Sequence, residues 1–172
     1  MNLIAVNPSE DSFSITWAIS PRCNYECSYC PPRLHDKTSA YKDLEELQTI
    51  WRRIVDNTSH RNKRYKISFT GGEVTVNPDF VPFLEWLQEE YHDLISNVGF
   101  TTNGSANLKV YLRAMEFVNY ITFSSHFEYA NESKLRANIL STHRRSKILG
   151  KNVFVNIMEE DQIKSVQSLK SF

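Results

Sequence analysis

The chain has 172 residues, 41% of them hydrophobic and 23% charged, which is the make-up of one packed domain rather than of a disordered chain. Twenty basic and twenty acidic residues cancel to a formal net charge of zero, so nothing in the charge balance points to nucleic acid or an anionic membrane as partner. No apolar run approaches the ~20 residues that span a bilayer, and no basic stretch followed by a long apolar run opens the chain; the expectation is a cytoplasmic domain with no membrane association.

In chain order, residues 13–19 (FSITWAI) are β-branched and aromatic and predict a first strand. Leu44, Leu47, Trp51, Ile54 and Val55 recur at three- and four-residue spacing, the apolar stripe of a helix. Residues 65–70 predict a second strand, ending at Gly71-Gly72. A helix starts at residues 77–79, with Asp79 as its cap and Phe80, Phe83, Leu84 and Leu87 on its buried face. A short strand at 97–101, a helix at 108–117 and a strand at 120–124 follow. A helix from near 132 to 149 stops at Gly150, a fifth strand covers 152–157, and a last helix is expected at 159–169. Strand–helix alternation of this kind predicts an α/β fold of βα units on a mainly parallel sheet. Ligands of such sheets sit beyond the C-terminal ends of the strands, so the residues just after each strand are the informative ones.

All three cysteines, Cys23, Cys27 and Cys30, fall in the loop after the first strand. An odd number within eight residues is not a disulfide framework. Three thiolates on a loop that can curl around a centre suit an iron–sulfur cluster, with one iron of a cubane left open for a small molecule. The competing reading is a Cys3His zinc site that adds His35.

The run Cys23-x3-Cys27-x-Tyr29-Cys30 resembles the signature of the radical S-adenosylmethionine (radical SAM) superfamily, C-x3-C-x-φ-C with φ aromatic. The resemblance covers about residues 13–158. It implies a partial (β/α) barrel of about five to six parallel βα units and a [4Fe–4S] cluster on Cys23, Cys27 and Cys30. It also implies S-adenosyl-L-methionine as cofactor, cleaved reductively to methionine and a 5′-deoxyadenosyl radical that removes hydrogen from substrate. Gly71-Gly72-Glu73 after the second strand resembles the family's GGE element, which holds the SAM amino group, although Val74 replaces the usual proline. Thr102-Asn103-Gly104 after the third strand resembles its T-N-G element. By the same resemblance Tyr29 lines the adenine side, and Ser124 contacts ribose or carboxylate. Asn156 is either a fifth-strand SAM contact or a residue satisfying a bend. His126 either faces substrate or bonds a neighbouring loop, and Glu128 is read as a solvated loop residue.

Residues 1–172 are expected to form a single core domain lacking the last βα unit and any C-terminal domain. That leaves a naturally minimal enzyme, a truncated chain, or a protein partner completing the barrel over the open sheet edge. The implied partners are a flavodoxin- or ferredoxin-type electron donor and an unknown substrate, a peptide or a small metabolite. The rival function is a non-catalytic or partner-dependent module of the same fold holding zinc or an incomplete site.

Overall fold

A computed structural model describes residues 12–157. The strands are β1 (Ser12–Ala18), β2 (Arg64–Thr70), β3 (Ile95–Thr102), β4 (Tyr120–Ser125) and β5 (Asn152–Ile157). Between them lie α1 (Leu44–Thr58), α2 (Phe80–Tyr91), α3 (Leu108–Phe117) and α4 (Glu132–Leu149). All neighbouring strands are parallel and lie in sequence order β1-β2-β3-β4-β5. The sheet is open, as a partial barrel is. The helix expected at 159–169 lies outside the described residues.

Period-two alternation in the strands explains the layering. Tyr65, Ile67 and Phe69 of β2, Val98 and Phe100 of β3, and Ile121 and Phe123 of β4 are buried, in one cluster with Trp51, Phe80, Phe83, Tyr111 and Met115 from the helices. Phe80 meets both Phe69 and Phe100 edge-on, with ring centroids 5.6 and 5.2 Å apart. Burial of side chains of this size contributes roughly 1.5–3 kcal/mol each, so these rings dominate the fold's stability. On the opposite face, Ser14 and Thr16 of β1 and Lys66 of β2 are exposed.

Helix ends follow local chemistry. Asp43 and Glu46 form a capping box at the start of α1. Asn107 and Asn131 cap α3 and α4, and Gly150 closes α4 in the left-handed conformation, φ 66°. The cap expected at Asp79 is not made: its side chain bonds no backbone donor of α2. Its neighbour Asn77 takes over the turn, with Oδ1 accepting the Asp79 N–H at 2.9 Å.

Candidate functional site

The loop from β1 carries the cysteines across the end of β2. Gly72 N–H donates to Ser20 O at 2.8 Å and Glu73 N–H to Arg22 O at 2.9 Å. A Cβ on Gly71 would lie 2.4 Å from Ser20 O, and one on Gly72 2.3 Å from Pro21 O and 2.4 Å from Arg22 O. The close approach that these glycines permit is therefore first of all to the chain's own backbone. Past this crossing, Cys23 N–H donates to Asp36 O (2.7 Å) and Asp36 N–H to Pro21 O (2.9 Å), which pins both ends of the cysteine loop. The donors Ser39 and Thr38 hold the Asp36 carboxyl below the usual carboxylate range.

Two tethers hold the loop onto later strands. At the β3 end, Asn103 Nδ2 donates to Asn24 Oδ1 at 2.9 Å and Asn24 Nδ2 to Ser105 Oγ at 3.0 Å. Asn103 Nδ2 also lies 4.0 Å from Cys23 Sγ. At the β4 end, Tyr29 Oη is 2.6 Å from His126 Nδ1, Ser28 bonds Glu128, and Tyr25 stacks on Tyr129, 5.7 Å between centroids. Glu128 is an exposed loop residue, as the sequence suggested, and it also serves as a tether. Tyr25, Asn24, Ser105 and Tyr129 carry no motif signal and are found only through the structure.

Between these tethers lies a cavity of about 220 Å3. Its wall includes the three cysteines, Gly71, Gly72, Glu73, Asn103, Ser124 and His126. Tyr25 and His35 add to it. Most of the sequence-predicted residues, from four successive strand ends, are thereby brought together. Two stand apart. Tyr29 points its hydroxyl at His126 and is not part of the wall, and Asn156, in register beside Ser124 on β5, is exposed on the open sheet face.

Glu73 is 4% exposed and its carboxylate is fully engaged. Oε1 accepts from Thr75 N (3.0 Å), Thr75 Oγ1 (2.5 Å) and Thr102 Oγ1 (2.7 Å), and Oε2 from Asn103 N (2.5 Å). Burial nevertheless pushes its carboxyl above the ordinary range, against the pull of those donors. The Glu73 charge, after burial itself, helps to push the Tyr111 phenol up to about 12. Glu73 consequently ties the end of β2 to the end of β3, and the backbone of the Gly-Gly turn is what it leaves facing the cavity.

The donor set fits a cluster. All three thiols are free of disulfides, and burial raises each of them. A single zinc would need its ligand sulfurs about 2.3 Å from one centre, yet among the described residues no group of three or more His, Cys, Asp or Glu side chains converges to hold one ion. The Cys3His arrangement with His35 is not assembled. Thiolates that each bind a different iron need no such convergence.

The model of the Radical SAM superfamily matches residues 17–156. GTP 3',8-cyclase of Pasteurella multocida (strain Pm70) is 31% identical over 87 residues, 51% of this chain and 25% of that protein. The S-adenosylmethionine-dependent nucleotide dehydratase of Selenomonas ruminantium is 27% identical over 127 residues, 73% of this chain and 43% of that protein. The crystal structure of BtrN in complex with AdoMet and 2-DOIA superposes with a TM-score of 0.62 at 17% identity, over 86% of this chain and 57% of that one. The match thus spans a quarter to rather more than half of each relative's length, and the BtrN likeness is one of fold.

Proposed function

The chain belongs to the radical SAM superfamily, and from that premise we propose that Cys23, Cys27 and Cys30 hold a [4Fe–4S] cluster and that the adjoining cavity takes S-adenosylmethionine. The observation that carries this reading is the meeting of the three thiols, the Gly71-Gly72 turn, Asn103 and Ser124 around one cavity at the strand ends. The group so held would supply reductive cleavage of the sulfonium C–S bond, giving methionine and a 5′-deoxyadenosyl radical that takes hydrogen from substrate.

The chain's own contribution is binding, orientation and exclusion of water. Backbone at Gly71 and Gly72 supplies carbonyl oxygens for an ammonium group, with the buried Glu73 behind it setting a negative field. Ser124, 7% exposed, offers a hydroxyl to a ribose or carboxylate. His126 stands on the cavity wall where substrate would reach, while Asn156 reaches a ligand only across the open sheet face.

Relatives named for GTP and for nucleotides favour a small metabolite over a peptide as substrate. The electron source is then an external flavodoxin- or ferredoxin-type donor and the setting cytoplasmic. No helix among the described residues is long and apolar enough to cross a membrane. A partner completing the barrel would meet β5, where Phe154 is 51% exposed.

Anaerobic reconstitution with iron and sulfide, then dithionite and SAM, tests the proposal. The expected result is about four iron and four sulfide per chain, with 5′-deoxyadenosine formed. Cys27→Ala should lose both while keeping its far-ultraviolet circular dichroism. Undiminished 5′-deoxyadenosine from that variant, or stoichiometric zinc in the wild type, would overturn it.

A further inference from the structure

Ser28 lies between Cys27 and Cys30, so whatever fixes its backbone fixes how the second and third thiols are presented. Both of its donors go to one atom a hundred positions along the chain. Glu128 Oε2 accepts the Ser28 N–H at 2.9 Å and the Oγ–H at 3.2 Å. Glu128 is itself held in a turn whose Tyr129 and Ala130 N–H groups both donate to His126 O, at 3.0 and 2.9 Å. Asn131, next in line, caps α4. The stacked pairs Tyr25–Tyr129 and Tyr29–His126 flank the contact on either side. The carboxylate therefore sits in the turn that leads into α4 and holds the exposed residue that follows the buried Cys27.

We infer that Glu128 is a positioning residue for the cysteine loop, holding Ser28 so that Cys27 and Cys30 keep their ligand-presenting arrangement and setting a fixed negative charge beside them. The inference rests on the reading that these cysteines hold an iron–sulfur cluster. Ionised acceptors make the stronger hydrogen bonds, and partners one step removed from a metal ligand set its orientation and affinity. Because Ser28 directly follows Cys27, the carboxylate bonded to it also places its charge beside that ligand. The carboxylate thus has two separable effects, retention through the Ser28 bonds and a negative field on the centre.

The test compares cluster-loaded wild type, Glu128→Ala and Glu128→Gln under anaerobic conditions. Iron loss to a strong ferrous chelator is followed by absorbance, and midpoint potential by an EPR-monitored redox titration. Glu128→Ala should lose iron about tenfold faster. Glu128→Gln keeps an acceptor oxygen for Ser28 without the charge. It should lose iron more slowly than Glu128→Ala and show a more positive potential, because removing a nearby negative charge favours the reduced state. Thermal unfolding of the three metal-free chains should coincide, since Glu128 is exposed. Should Glu128→Ala unfold early, Ser28→Ala replaces it, keeping the N–H bond and losing iron at an intermediate rate. Wild-type iron retention in the alanine variant, or an unmoved potential in the glutamine variant, would overturn the inference. Failure of the wild type to take up iron and sulfide at all would bring down the cluster reading, and this inference with it.

Discussion

The rings of Tyr29 and His126 lie parallel, 5.9 Å between centroids and 11° apart, with the Tyr29 hydroxyl 2.6 Å from His126 Nδ1. The same hydroxyl hydrogen-bonds the Cys27 sulfur and pulls that thiol's pKa down against the effect of burial. A phenol has one proton to give. When Cys27 is a thiolate the proton goes to sulfur, and His126 must then present its own Nδ1–H to the Tyr29 oxygen. The aromatic position of the cysteine motif is in this way wired to the residue after β4 on the cavity wall.

Tyr29→Phe keeps the ring and deletes the hydroxyl. The variant should lose about 1 kcal/mol of stability, retain its iron, and show a more negative midpoint potential, because hydrogen bonds to ligand sulfur raise it. The sign is opposite to that expected of Glu128→Gln, and an EPR-monitored redox titration of the two variants side by side checks both. An unchanged potential in Tyr29→Phe would mean that the hydroxyl serves His126 alone.

Two glycines with positive φ or tight contacts should respond differently to the same substitution. A methyl at Gly72 meets backbone oxygens of Pro21 and Arg22 within 2.4 Å, and neither can yield without moving the run that leads into Cys23. Gly72→Ala should lose about 1–3 kcal/mol and, measured as iron per folded chain, most of its cluster loading. Gly150, φ 66°, has nothing within 4 Å of such a methyl. Gly150→Ala should cost about 1–2 kcal/mol from backbone strain alone and leave loading unchanged. Chemical denaturation paired with iron analysis separates the two.

Elements with strong periodicity were legible from the residues: α3 and α4 start and stop where the apolar spacing and Gly150 place them. β3 runs longer than its 97–101 core, Ile95–Thr102, because pairing with β2 and β4 on both sides carries polar residues into the strand. The motif residues gather at one cavity because parallel βα units deliver every strand end to the same rim. What could not be read was long-range pairing. Glu128 looks like any loop carboxylate until Ser28 is seen against it, and Asn24 like any filler between cysteines until Asn103 reaches it. Asp79 has the right residue type for a helix cap, yet Asn77, two residues earlier, satisfies the turn instead.

Glu73 sets two opposing forces in one side chain, and the pH dependence of stability shows which prevails. Four donors converge on its carboxylate, yet burial raises its pKa above the ordinary 4.5. A carboxyl raised in the folded state binds its proton more tightly there than in the unfolded chain. Its stabilising contribution is therefore complete below about 4.5 and is lost as pH climbs through the folded value. Glu73→Gln cannot titrate, and its amide nitrogen confronts either Asn103 N–H or the Thr75 and Thr102 donors. The variant should be less stable by about 1–3 kcal/mol, with the gap to wild type narrowing from pH 4.5 upward. Urea denaturation of both metal-free chains across that range measures the gap. A gap that widened with pH would show that the four donors outweigh burial, and that Glu73 stands ionised behind the Gly-Gly turn throughout.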